Sequence, residues 1–381
     1  MNSDKSLTIV LTLKDRAAFT FRWMAYANRV HLPFKILIGD GGADESVSQV
    51  LLNKANYPNL AYQYLRYPYD ETFIEYHAKM ADVLSRVETT LVALADNDDF
   101  FIVSGLTQSA GFLTGREDYS ACGGKVGRCV VDPDESALNE VYGTQVHFIP
   151  QLYPNNSLEQ ETALERLESQ FSCYEPTWYD THRTEQLREW FQTLRDLRIS
   201  DLYLAELLIS GFAIIAGKIR RGAYLYLLRQ SNTPDSEATR KSGVLDRMLL
   251  ESWSADFKKF VDAMAAALAT QDGIAVDEAR EHVKRLYRAY IVPHVIRSLS
   301  PGGSSRLRAS VAELKFLGPV KKGVRKLLRS ANELNGGHLR REGTIDKSSP
   351  YYDELKPIQE FLAAGPAGAP VFPIPSDSLD S

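Results

Sequence analysis

The 381-residue chain carries 44 Lys plus Arg against 49 Asp plus Glu, a formal net charge of −5, with 44% hydrophobic and 24% charged residues. That composition excludes a wholly disordered chain, a collagen and a coiled-coil rod. The acid excess argues against a dedicated nucleic-acid binder, whose domain is ordinarily basic.

At roughly 100–200 residues per domain, the length predicts two or three domains. Cys122, Cys129 and Cys173 are odd in number and lack C-x-x-C spacing. They predict neither a disulfide scaffold nor a zinc site, and they fit a reducing compartment. The N-terminal segment MNSDKSLTIVLTLKDR has no signal-peptide pattern. The longest apolar stretch, Leu202 to Gly217, is interrupted by Glu206 and is shorter than the roughly 20 apolar residues of a membrane span. A soluble, cytoplasmic protein is expected, at most attached to the inner face of a membrane.

In chain order, Leu7–Leu13 (LTIVLTL) reads as a buried parallel strand. Ala17–Val30 has helical spacing, Phe34–Ile38 is a second strand, Glu45–Leu52 a helix and Leu60–Leu65 a third strand. Thr72–Val87 is an amphipathic helix, and Thr90–Ala95 a fourth strand. Val103–Leu113 reads as a helix, Tyr119–Gly123 as a short strand, Asp132–Tyr142 as an acidic loop and Leu158–Phe171 as a helix. A short strand or turn at Trp178–Arg183 and a helix at Glu185–Leu197 precede Ser200-Asp201, which reads as the N-cap of the apolar helix Leu202–Ile215. Arg220–Arg229 contains a strand, Ser242–Leu299 is nearly all helical, and residues 346–381, rich in Gly, Pro, Ala and Ser towards the end, read as a disordered tail. The alternation of strand and helix predicts a doubly wound α/β domain over 1–232 with a mostly parallel sheet, followed by a helical extension over 233–345.

Ligands of such sheets bind beyond the carboxyl ends of the strands. Lys14-Asp15-Arg16, Asp40-Gly41-Gly42 and Asp96-Asn97-Asp98-Asp99 all stand at such ends, and their convergence is the principal signal in the chain. Asp96 and Asp98 supply oxygen ligands of the kind Mg²⁺ or Mn²⁺ requires, although an acidic turn capping the next helix would show the same residues. Asp40 could accept hydrogen bonds from a ribose or base, and it equally fits a plain tight turn. Asp201 fits a general base or a simple N-cap. Glu206, inside an apolar helix, must be either buried and paired or aimed into a site. Arg229 could bind phosphate, and Lys79 could face one from its helix, although a solvated position suits Lys79 as well.

Together LTIVLTLKDR, ILIGDGGADES and LVALADNDDF resemble the nucleotide-binding half of a family 2 glycosyltransferase of the GT-A fold. The family's opening strand ends P-T-x-N-R; here it reads Leu11-Thr12-Leu13-Lys14-Asp15-Arg16, without the proline and with Asp15 for the asparagine. WYDTHRTE from Trp178, SDLYLAE from Ser200, Gly217-Lys218 and Leu227-Leu228-Arg229 resemble a bacterial subgroup, and the likeness covers about residues 7–232.

The resemblance implies an inverting transferase with a GT-A, Rossmann-like, mostly parallel sheet, and a nucleotide-sugar donor, a UDP-sugar first among them. Thr12, Lys14, Asp15, Arg16 and Asp40 would line the donor site, Lys79 and Arg229 would hold the diphosphate, and Asp96 and Asp98 would bind the Mn or Mg ion, Asp96 also supporting the sugar. The acceptor-side base, an Asp of an E-D pair in the family, falls to Asp201 in Ser200-Asp201, with Glu206 competing for the role. The acceptor would be a glycan or a lipid-linked hydroxyl in polysaccharide biosynthesis.

Two alternatives share the sheet. A sugar nucleotidyltransferase would need a glycine-rich loop where Lys14-Asp15-Arg16-Ala17-Ala18 stands. A non-catalytic nucleotide-sugar-binding module would tolerate the departures from the motif. Residues 301–341 hold ten Lys or Arg and two Glu, net +8, so the rest of the chain carries −13. Within them, 318–341 could lie on an anionic membrane surface or form a solvated face against the acidic remainder.

Overall fold

The computed structural model describes residues 4–132, 141–149, 152–231, 233, 244–298, 347 and 350–365. The apolar run at the start forms β1 (Asp4–Leu13), whose Leu7, Ile9, Val10 and Leu11 are fully buried. A strand covered on both faces has no solvent side, so its sequence is apolar throughout rather than alternating. Parallel to β1 lie β2 (Phe34–Asp40) on one side and β4 (Leu91–Ala95) on the other, with β3 (Tyr62–Arg66) parallel to β2.

The remaining strands are β5 (Phe100–Phe101), β6 (Tyr119–Asp132), β7 (Gln145–Ile149), β8 (Thr181–Arg183) and β9 (Lys218–Gln230). The sheet runs β3-β2-β1-β4-β8-β6-β9-β5, with β7 beside β6. Past the four parallel strands, β8 joins β4 and β6 antiparallel, β6 and β9 run parallel, and β5 pairs antiparallel with β9. The fold is the expected α/β architecture with a C-terminal helical extension.

Alternate residues of β1 serve different cores, as the two-residue period of a strand requires. Ile9 and Leu11 pack with the apolar faces of α1 (Ala17–Arg29), α2 (Glu45–Leu52) and α4 (Val103–Thr114). Val10, on the opposite face, packs with α3 (Phe73–Ser85), α5 (Ala163–Ser172), α6 (Thr184–Leu197) and α7 (Leu202–Ala216). The C-terminal helices α9 (Glu251–Asp272) and α10 (Val276–Ser298), with the short α8 (Val244–Met248) before them, join this second core through Phe260, Met264, Leu268 and Val283. Among the described residues no helix is long and apolar enough to cross a membrane.

Several expectations needed correction. The strand expected to stop at Gly123 runs on to Asp132, because β7 and β9 flank it and satisfy its backbone. The helix expected from Leu158 starts at Ala163. Leu158 instead bridges Ile219 of β9, and Thr162 with Glu165 forms a capping box that fixes the start. The strands β5 and β7 were not foreseen.

Part of the expected tail is folded. Residues Tyr352–Ala363 form a helix, α11, whose Leu355, Ile358, Phe361 and Leu362 are buried against Phe100, Tyr142 and Phe148. Its apolar residues recur at three and four positions, a helical signal that the Gly- and Pro-rich sequence beyond residue 364 obscured. The basic segment 301–341 and residues 366–381 lie outside the described residues.

Candidate functional site

The strand registers bring the predicted clusters to one edge. Leu13 is opposite Asp40, Asp40 is opposite Arg66, and Leu11 is opposite Ala95, so β1 to β4 end side by side. Asp40 is buried there. Its Oδ1 accepts from the Gly42 N–H at 2.8 Å, and its Oδ2 accepts from the Tyr64 hydroxyl at 2.6 Å and from Arg66 at 2.7 Å. A Cβ on Gly42 would lie 2.6 Å from the Asp15 backbone nitrogen, so the close approach of the β1 and β2 turns requires glycine at that position.

Opposite it, Asp15 and Arg16 both adopt φ of 57°, a left-handed conformation costing roughly 1–2 kcal/mol per non-glycine residue. The Asp15 carboxylate offsets part of this by accepting from the Ala43 N–H at 2.9 Å. Lys14 lies over the Tyr69 ring at 5.0 Å, and Thr12 on β1 is opposite Gly39 of β2.

The tract after β4 folds into an acidic cluster. Asp96, Asp98 and Asp99 each offer one carboxylate oxygen within 4.8 Å of the others. Asn97 points away and is anchored to Thr20 at 3.0 Å. Arg16 pairs with Asp98 at 3.0 Å, Arg229 with Asp99 at 2.9 Å, and the Tyr179 hydroxyl donates to Asp96. Arg229 in turn donates to the Tyr179 oxygen at 3.2 Å, and its guanidinium lies 4.6 Å from that ring.

Fully buried Arg22 ties the cluster to the rest of the fold. It donates to the Asp98 carbonyl at 3.1 Å and to the Val141 carbonyl and Gln230 Oε1, both at 2.7 Å. Burial, and then the neighbouring Asp98 charge, raises Asp96 above the ordinary carboxylate range; burial pushes Asp99 up to about 8 in spite of Arg229. Packed carboxylates raised in this way, offering only oxygen ligands, suit a hard divalent cation.

The two candidate bases stand at the start of α7, Asp201 as its N-cap and Glu206 in its first turns. Asp201 caps α7 by accepting from the Leu204 N–H at 2.9 Å, and it is bound by Arg247 at 2.9 and 3.1 Å. It is therefore not the free carboxylate expected at a cleft. Glu206 accepts from the Tyr174 hydroxyl at 2.9 Å. Burial raises its pKa first of all, while the Arg229 charge lowers it and the Asp96 charge raises it, so it shares the electrostatic environment of the cluster.

Lys79 is also corrected. It is buried, donates to the Leu13 carbonyl at 2.9 Å and pairs with Asp70, and it fastens the end of β1 instead of facing a diphosphate. Sequence reasoning did not single out Tyr64, Arg66, Arg22 or Tyr179. Tyr64 and Arg66 alternate on β3 beside Asp40, a signal visible once the registers are known, whereas Arg22 and Tyr179 are placed by contacts across the fold.

No protein-family model and no curated protein matches the chain. Among solved structures it is similar to S. aureus TarS in complex with UDP-GlcNAc, at 12% identity over 75% of this chain and 72% of that chain, with a TM-score of 0.47. The same values hold for TarS 1–349 in complex with UDP. Against a longer S. aureus TarS structure the identity is 12% over 75% of this chain and 44% of that one, with a TM-score of 0.46, so the chain spans less than half of that protein's length.

Proposed function

We propose that the chain is an inverting, metal-assisted glycosyltransferase of the GT-A type that uses a nucleotide-sugar donor. The observation that carries this is the convergence, at the ends of β1, β2 and β4, of a buried carboxylate (Asp40), a three-carboxylate cluster and the cation Arg229 paired with it. In this reading Asp40, held by Tyr64 and Arg66, meets the nucleoside, and the turn at Asp15 and Arg16 closes over it. A divalent cation held by Asp96 and Asp98 would supply positive charge for the diphosphate leaving group. Arg229, oriented by Asp99 and Tyr179, stabilises the same group as the anomeric carbon–oxygen bond breaks and its electron pair passes to the diphosphate.

Glu206 is the proposed base. It takes the proton of the acceptor hydroxyl as the new bond forms to the opposite face of the anomeric carbon, which inverts the configuration. Asp201 is the weaker candidate because its carboxylate is already spent on the α7 cap and Arg247.

One observation favours a second reading, a binding module without turnover. Arg16, Arg229 and Tyr179 already engage Asp98, Asp99 and Asp96, so a nucleotide could be retained without a metal. The test is release of nucleoside diphosphate from a panel of UDP-, GDP-, CDP- and dTDP-sugars with Mn²⁺ and methyl glycosides as acceptors. Transfer is expected, falling roughly 10²–10⁴-fold in Glu206→Gln and abolished in Asp98→Asn. Nucleotide binding by a well-folded chain with no product from any acceptor supports the module.

A further inference from the structure

Helix α10 is apolar on two faces over its last turns. One face enters the core through Tyr287 and Ile291. On the other, Ala289, Val292, Pro293 and Ile296 recur at three and four residues and are all exposed, Ile296 at 59%. A helix packed on a single core needs only one such stripe. We infer that this outward stripe, with the turn between α8 and α9 beside it, docks on the surface of an anionic lipid bilayer. The inference stands apart from the transfer reading above.

The turn supplies the second part of the surface. Leu249 is 83% exposed and Leu250 is exposed beside it. Arg247, just before them, lines one small cavity together with Ile291 and His294 of α10, so the turn and the end of α10 are neighbours. Among the described residues eight large apolar side chains are exposed, and Leu249, Leu250, Val292 and Ile296 are four of them. Single exposed apolar residues are ordinary, whereas a group of them marks an interaction surface.

Charge selects the occupant. Residues 282–312 contain no Asp or Glu and hold Lys284, Arg285, Arg288, Arg297, Arg306 and Arg308. Glu281 meets Lys284 and Glu168 meets Arg285, and Asp246 and Glu251 flank the two leucines. The chain then continues from the end of α10 into the sequence of net +8 over 301–341. Aliphatic side chains beside an excess of cations suit an anionic bilayer, which takes the former between its headgroups and attracts the latter. A nucleic acid would meet the cations and leave the aliphatic side chains in water. A second copy docked by the same face about a two-fold axis would bring two cationic tracts together, and like charges repel.

The experiment is flotation of the full chain with vesicles of phosphatidylcholine alone and of phosphatidylcholine carrying about 30% phosphatidylglycerol. Two double variants are compared, Leu249→Ser with Leu250→Ser, and Val292→Ser with Ile296→Ser. Their melting temperatures are measured beside the wild type, and the oligomeric state is read by sedimentation velocity. The wild type is expected to float with the anionic vesicles and not with the neutral ones. Each double variant is expected to keep its melting temperature and to float roughly fivefold less or weaker still, because exposed residues add little to folding and much to insertion. No flotation of the wild type overturns the inference. So does equal flotation of the wild type and both variants, which leaves the cationic sequence as the sole attachment. A wild-type dimer that the variants convert to monomer, without flotation, also overturns it and makes the face a contact between copies.

Discussion

Glu206 and Asp201 sit five residues apart on one helix, yet their surroundings assign them different work. Burial raises the Glu206 pKa; Tyr174, Arg229 and Asp96 act on the group directly, and Tyr153 and Tyr290 interact with it from the loop before α5 and from α10. A base works only when deprotonated, so the transfer rate should rise with pH as Glu206 ionises above the ordinary glutamate range, and then level off. A pH–rate profile checks this, and a rate that falls over that rise contradicts it.

For Asp201 the expectation is structural. Asp201→Ala removes a helix cap, at about 1 kcal/mol, and leaves Arg247 without its carboxylate, at about 1–3 kcal/mol more. A lower melting temperature with transfer largely retained is predicted, and loss of transfer at an unchanged melting temperature would reassign the base. At this scale the sequence was informative where residue type dictates chemistry, as at Asp40, Asp96 and Asp98. It was silent where partners decide: nothing near Lys79 signals Asp70 or the Leu13 carbonyl, and nothing near Asp201 signals Arg247.

The elements that position the site were legible because their patterns are local. The continuous apolar runs of β1 and β4 and the three-and-four spacing of α3 mark buried strands and an amphipathic helix. The long β6 was only half visible, because glycines and the charged Lys125 and Arg128 interrupt its second half, which is sustained by β7 and β9, remote in sequence. Helix α11 was missed for a compositional reason, and it carries a prediction. Four of its side chains are buried at about 1.5–3 kcal/mol each. Deleting residues 347–381 should therefore lower the melting temperature of the remaining chain markedly, as Phe100, Tyr142 and Phe148 lose their cover. A thermal melt unchanged by the deletion contradicts that packing.

Over the whole molecule, the small net charge of −5 conceals a net +8 in residues 301–341 and −13 in the remainder. Part of that acidity is gathered at the sheet edge, where Asp40, Asp96, Asp98 and Asp99 are balanced by Arg66, Arg16 and Arg229. The C-terminal helices complete the same core as α7, so the extension is built into the α/β unit.

The central claim is that the acidic edge binds a nucleotide-sugar through a divalent cation. A ligand that binds only the folded state raises its melting temperature. The decisive measurement is therefore the thermal shift of the full chain with UDP, GDP, CDP and dTDP and their sugars, with and without Mn²⁺, in the wild type and in Asp98→Asn. The expected result is a shift for one nucleotide class that grows with Mn²⁺ and loses its Mn²⁺ dependence in Asp98→Asn. A wild-type chain whose melting temperature is unmoved by every nucleotide and nucleotide-sugar, with or without metal, would contradict it.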